Sequence, residues 1–258
     1  MSAEIRPIRS TGGPAVSPAE RALRIDLAAA YRAAALFGWN QTIYNHFTCR
    51  VPGDPDRFLV KRHGHFFDEV TASSLVKVDM EGRALTFEDD VNPAAFAIHT
   101  AILRARPEVH ATLHLHTPVG IALSARPEGF LALNQEAAFF HDRLSYYRFD
   151  GIEERPEEID RLAASLAPGH HTLVLRNHGV AVACPTLQGA FIRMQYFLTC
   201  AEAQLLATAQ PTPPEVLEAS VCRYTRDQFE AQERRTGFGP EWKALRRLLD
   251  RRLPGYEL

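Results

Sequence analysis

Several things are scarce in this sequence, and each scarcity removes a class of protein. Four cysteines, Cys49, Cys184, Cys200 and Cys222, are scattered through 258 residues with no CxxC pair. That pattern suits reduced thiols and excludes a disulfide framework. Neither sign of charge is in excess: 29 Lys and Arg against 31 Asp and Glu leave a net charge of -2. Such a balance sets up no field for nucleic acid or a membrane surface. The basic pairs Arg234-Arg235, Arg246-Arg247 and Arg251-Arg252 alternate with Glu233, Glu241 and Asp250, and they read as solvated helix faces. No apolar run approaches the ~18 residues of a membrane span, and the first residues lack the basic-then-apolar order of a secretion signal. A cytoplasmic protein with no nucleic-acid or membrane partner is expected. There is no GxGxxG, no Walker-type loop and no internal repeat, so nucleotide binding has no support.

With 46% hydrophobic residues, the chain can bury one large core or two small ones. Residues 1–17, rich in Pro, Gly and Ser, read as a loose arm. Ser17, Pro18 and Glu20 open a capped helix that runs to Leu36 and is ended by Gly38. IYNHFTCRVPG and RFLVKRHG read as a hairpin with Asp54-Pro55 in its turn. Thr71-Ala72-Ser73-Ser74 is a turn before a strand, and Asn92-Pro93 starts a helix that ends near Pro107. A strand follows at 109–116, then a helical piece up to Ser124 and a mixed segment at 130–140. Another helix spans 156–166, two short β runs lie within 171–185, and a long helix begins at Leu187. Residues 211–258 read as a helical C-terminal extension, with residues 18–210 as the domain proper. Strands interleaved with helices indicate a single α/β domain.

The chemistry gathers at VHATLHLHTPV. In an extended strand, side chains two residues apart share a face, so His114 and His116 can aim at one point, as two ligands of a transition metal must. Exposed or hydrogen-bonded strand histidines are the alternative. A catalytic zinc-type site wants a third protein ligand and an open position. Among 11 histidines, His178 in Asn177-His178-Gly179 is the best candidate. It lies between two apolar β runs, where the glycine allows a tight turn that presents the imidazole inward. A solvent-exposed turn histidine is the competing reading.

NPAAFAIHTAILRARPEVHATLHLHTPVG followed by LRNHG resembles the class II aldolase/adducin family over about Leu23 to Ala209. YNHFTCRVPG, DEVTASSLVKVDMEG and Gln135-Glu136-Ala137 resemble its adducin-type branch more than its sugar-phosphate aldolases. The resemblance implies a three-layer α/β/α sandwich around a mostly antiparallel sheet, assembled as a homotetramer with sites at subunit interfaces. It also implies a metal held by His114, His116 and His178. Zinc is the expected ion, with manganese or another divalent transition metal as the alternative.

Three departures from the family pattern matter. The Ser-Ser-Glu run of the sugar-phosphate aldolases falls on Pro93, Ala94 and Ala95, so alanine stands where the proton-shuttling glutamate would be. The Gly-Asn-x-Ser phosphate turn falls on Asn45-His46-Phe47-Thr48. A phosphorylated substrate is therefore not expected. The Thr71, Ser73, Ser74 turn survives in modified form and could bind an anion such as a carboxylate, or only cap itself. Glu136, a carboxylate in an apolar segment, and His46, with a titration range suited to acid–base work, are the candidate catalytic residues. A surface or helix-cap role is the competing reading for Glu136. Lys61, Arg62, His63, His65, Tyr146 and Tyr147 stand behind them, each with a surface or packing role as the simpler reading.

The resemblance thus implies a metal-dependent carbon–carbon lyase, performing retro-aldol cleavage or decarboxylation on a small non-phosphorylated oxo- or hydroxy-acid. The missing glutamate weighs less against decarboxylation, which creates its carbanion without removing a proton from carbon. Family epimerisation relies on phosphate recognition. The alternative is a non-catalytic, adducin-like structural protein with an actin-type partner that retains the metal site, although the chain lacks adducin's long basic tail.

Overall fold

A computed structural model describes residues 16–86, 93–151 and 156–258. Most of the N-terminal arm, and Asn92 at the expected helix start, lie outside the described residues. Helix α1 spans Pro18–Leu36, with Ser17 Oγ accepting the Glu20 N–H at 3.1 Å. Strands β1 (His46–Val51), β2 (Asp54–Val60) and β3 (Val76–Asp79) follow. Then come α2 (Pro93–Ala105), β4 (Ala111–Leu115), α3 (Pro118–Ser124), α4 (Gln135–Ala138) and β5 (Leu144–Tyr147). The chain continues through α5 (Pro156–Ser165), β6 (Thr172–Leu175), β7 (Gly179–Cys184) and α6 (Leu187–Thr208), and closes with α7 (Ala219–Thr236) and α8 (Gly239–Arg252).

The seven strands form one sheet in the order β3-β2-β1-β4-β7-β6-β5, antiparallel throughout except for the parallel β5–β6 pair. Period-two alternation splits the core. On one face Phe47, Cys49, Leu113, Leu115, Val180 and Val182 pack with Leu27, Tyr31, Phe191 and Phe197 of α1 and α6. On the other, Phe58, Val78, Leu173, Ala181 and Ala183 pack with Ile102 of α2 and Leu162 of α5. The result is the three-layer α/β/α sandwich that the resemblance implies.

The second face is where the sheet becomes polar. Its residues on β1 and β4 are His46, Thr48, Arg50, Thr112 and His114, with His46 paired to His114 and Thr48 to Thr112. Ala181 and Ala183 complete the same rows on β7, and their small side chains leave room for the imidazoles.

Two sequence expectations shift. Asp54 and Pro55 belong to β2, and Pro52-Gly53 makes the turn, with Gly53 in the left-handed region at φ 78. Within 130–140 the ordered piece is the single-turn helix α4, capped by Asn134 Oδ1 on the Ala137 N–H at 2.7 Å. Strand β5 had no sequence signal. Four residues with no alternation are too short to show a period, and β5 exists because β6 supplies its hydrogen bonds.

Helix α8 is seated in the same core as α1 and α6. Trp242, Leu245, Leu249 and the following Tyr256 are buried there, and Trp242 Nε1 donates to Asp26 at 3.1 Å. Trp242→Ala is expected to lower unfolding free energy by about 3–5 kcal/mol in a denaturant titration. An unchanged midpoint would mean that α8 hangs off the domain without supporting it.

Candidate metal centre

His114 leaves β4 on the polar face, and His116 stands just past the strand end on the same side. His178 closes the β6–β7 turn, where Asn177 takes the left-handed conformation (φ 57) and the His178 N–H bonds to the Leu175 carbonyl at 3.1 Å. The glycine of this motif acts differently from the sequence expectation. Asn177, not Gly179, carries the left-handed backbone, and Gly179 permits close approach. A Cβ there would stand 2.4 Å from the Leu115 carbonyl oxygen and 3.2 Å from His116 Cδ2. Without a side chain, β7 can lie against the end of β4 and bring His178 to the other two imidazoles.

The three rings converge through their Nε2 atoms. His116 Nε2 lies 2.7 Å from His114 Nε2 and 2.9 Å from His178 Nε2. The surroundings fix two tautomers. His114 Nδ1–H donates to the Val180 carbonyl at 3.0 Å, and His116 Nδ1–H donates to Gln41 Oε1 at 2.8 Å. Both acceptors are oxygens with no proton to give, so each neutral ring carries its proton on Nδ1 and a bare lone pair on Nε2. Lone pairs facing one another at these distances repel, and a cation among them converts that repulsion into coordination. The donor set therefore fits a divalent transition ion.

Electrostatics keep the rings neutral. Burial, then the neighbouring imidazoles His116, His178 and His99, hold His114 well below the usual histidine range. Burial and then His116 push His178 down to about 4, and burial lowers His116. Ligands must be unprotonated to bind a metal, so this environment is ready for one at neutral pH.

His46 is directly opposite His114 and almost fully buried. Its ring meets His99 edge-on at 6.5 Å, and burial, then Lys61, then His99, His63 and His116 hold it neutral. His99 of α2 shares a 2.8 Å hydrogen bond with Thr48 through Nδ1, while its buried Nε2 has no partner. Burial pushes His99 down to about 3. Lys61 is buried with Nζ donating to the Ile43 carbonyl at 2.7 Å, and burial draws it down to about 8. His63 is exposed yet close enough to act on His46; Arg62 and His65 are half-buried beside it. Phe149, exposed, stands edge-on to His178 at 5.9 Å.

Other residues singled out from the sequence are placed elsewhere. Glu136 is half-buried on α4, and its charge acts on Tyr196 and Cys200 of α6, the layer across the sheet from His114. Ser74 Oγ accepts the Thr71 N–H and donates to the Thr71 carbonyl, both at 2.9 Å, and Thr71 and Ser73 hydroxyls approach at 3.3 Å. The Ala72 and Ser73 N–H groups donate to the Tyr256 and Leu258 backbone oxygens at 2.9 and 2.8 Å. An anion on this turn would have to displace those partners. Tyr146 accepts the Phe130 N–H at 2.9 Å beneath the Arg176 guanidinium, and Tyr147 is buried in the second cluster. Ala95 lies in the first turn of α2. Gln41 and His99 carried no site signal in the sequence, because each meets the site only through tertiary contact.

The family model for the Class II Aldolase and Adducin N-terminal domain matches residues 25–205. A Pseudomonas aeruginosa protein assigned by name to aldolase class 2 is 38% identical over 245 residues, 93% of this chain and 94% of that protein. Mouse alpha-adducin is 36% identical over 220 residues, 84% of this chain and 30% of the adducin. The solved L-fuculose 1-phosphate aldolase of Glaciozyma antarctica superposes with a TM-score of 0.80 at 25% identity, covering 95% of this chain and 96% of that one.

Two outcomes are expected. His114→Ala and His178→Ala should each lose bound divalent metal measured by plasma emission; stoichiometric metal in both would refute the triad. In chelator-treated protein, stability should be fully present above the unfolded histidine value near 6.5 and fall as pH drops toward 4. The unfolded chain takes up protons there while the buried rings refuse them, and His99 alone contributes about 1.4 kcal/mol per pH unit. A denaturation midpoint flat between pH 7 and 4.5 would contradict this.

Proposed function

The chain belongs to the class II aldolase and adducin family, and on that premise we propose that it is a metal-dependent carbon–carbon lyase. Its substrate is a small, non-phosphorylated oxo- or hydroxy-acid, cleaved by decarboxylation or retro-aldol reaction. The observation that carries this reading is the convergence of three Nε2 atoms, two of them left as bare lone pairs by Nδ1 hydrogen bonds, with the buried His46 and Lys61 nearby.

His114, His116 and His178 would hold the ion, with zinc the first expectation and manganese or another divalent metal the alternative. When bound, such an ion supplies Lewis acidity to a substrate carbonyl and offsets developing negative charge. Three neutral ligands leave its charge undiminished. Lys61, still mostly protonated at neutral pH, adds positive potential near His46 and favours an anionic substrate. His46 is the best placed group to handle a proton, because it faces His114 across the ladder and stays neutral. Glu136 sits with α6 and is the weaker candidate. Ala95 offers no acid–base group, which favours decarboxylation, where the carbanion forms by loss of carbon dioxide. The exposed Phe149 ring at His178 suits a site completed at a subunit boundary of a homotetramer.

A second reading rests on the alpha-adducin similarity over 84% of the chain: a non-catalytic binding protein of the adducin type, with an actin-type partner, in which the metal supports the fold. One panel separates the two. Metal-loaded protein is expected to turn over at least one member of a set of 2-oxo and hydroxy acids. Chelation should abolish turnover, and His46→Gln should lower kcat by about 10²–10⁴-fold without loss of metal. No turnover across the panel, together with co-sedimentation with actin filaments, would replace the lyase reading with the binding one.

A further inference from the structure

The three imidazoles of the triad are not held in the same way. His114 is fixed from within the sheet, its Nδ1–H on the carbonyl of Val180, which pairs with the neighbouring Leu115. His178 is carried by the turn between two paired strands. His116 lies one residue beyond β4, where the ladder has ended. What holds it is the loop between α1 and β1.

That loop has an unusual backbone for its length. Gly38, Thr42 and Asn45 all have positive φ, at 72, 47 and 73. Two of the three are not glycine, so the left-handed conformation carries a cost that surrounding contacts must offset. Those contacts are present. Gln41 and Tyr44 form an isolated bridge, with the Tyr44 N–H donating to the Gln41 carbonyl at 3.0 Å. Lys61 Nζ donates to the Ile43 carbonyl from the end of β2 at 2.7 Å.

So braced, the loop grips His116 twice. Asn45 Oδ1 accepts its backbone N–H at 2.9 Å, and Gln41 Oε1 accepts its ring Nδ1–H at 2.8 Å. The first bond sets where the residue lies. The second sets which nitrogen faces His114 and His178, and with which protonation. If Gln41 Oε1 were removed, the proton on Nδ1 would have no fixed acceptor. The ring could then carry its proton on Nε2, where it excludes a cation, or rotate so that a carbon replaces the ligand nitrogen.

We propose that Gln41 is a positioning residue for the metal centre: it holds His116 as an Nε2 ligand and thereby sets how tightly a divalent ion is retained. The inference rests on the metal reading of the triad. Gln41 is exposed at the surface, so replacing it leaves no cavity in the core, and its effect is confined to the His116 ring.

The test uses full-length protein and Zn2+ or Co2+ alone, with apparent affinity measured by competition against a chromogenic chelator. Gln41→Leu is expected to weaken binding by about ten- to a hundredfold and to change the visible absorption of the Co2+ form, while the melting temperature of the metal-free protein stays unchanged. Gln41→Glu keeps an acceptor oxygen at the same reach and is expected to bind at least as tightly as the parent. A merely structural role for the loop would not be rescued by glutamate. Affinity of Gln41→Leu within about twofold of the parent, or equal loss in both variants, would overturn the proposal. His114→Ala separates this failure from failure of the triad. If His114→Ala loses metal and Gln41→Leu does not, only the role of Gln41 falls; if the parent binds none, both readings fall.

Discussion

The contact on which the site depends is the approach of β7 to the end of β4, where Gly179 leaves no Cβ against the Leu115 carbonyl. That approach closes the β1–β4–β7 ladder at the point where different stretches of chain each deliver a histidine. His46 and His114 come from paired strands, His178 from the turn that feeds β7, and His116 from the residue after β4. A side chain at Gly179 would push β7 outward and separate His178 from the other rings. The place of His178 in the cluster is a consequence of that one close backbone contact.

Around that contact, burial controls the chemistry. Imidazoles taken out of water lose the charged form first, because water stabilises an imidazolium ion far more than a neutral ring. Here several are buried together and each disfavours the charge of the next, so neutrality is cooperative. The neutral rings then need their protons parked on the nitrogen that faces away from the site. The Val180 carbonyl and Gln41 side chain serve that purpose for two of them. With the His114 and His116 lone pairs turned inward against each other, the cluster is suited to a cation.

The same frame accommodates both branches of the family. A sugar-phosphate aldolase and an adducin both resemble this chain over most of its length, so the resemblance does not itself specify a reaction. This chain carries Ala95 in the first turn of α2, His46 opposite His114 on the paired strand, and Lys61 close enough to act on His46.

The sequence by itself indicated the long helices, the paired strands around them, and the shared face of His114 and His116. Each of these has a local signature. Apolar residues recur at helical spacing, caps are short-range, and His-x-His on a strand shares a face by geometry alone. His178, the third histidine of the cluster, needed the family resemblance as well, because an Asn-His-Gly turn has many uses. The tertiary structure decided the rest. It reassigned Gly179 from turn flexibility to close packing and showed α8 seated in the main core. It also set Glu136 in the α6 layer, closed the Thr71 turn on itself and the C-terminal residues, and brought Gln41 and Asn45 to His116. These all concern residues distant in sequence whose meeting is fixed by strand order and layer packing, and no local pattern encodes that.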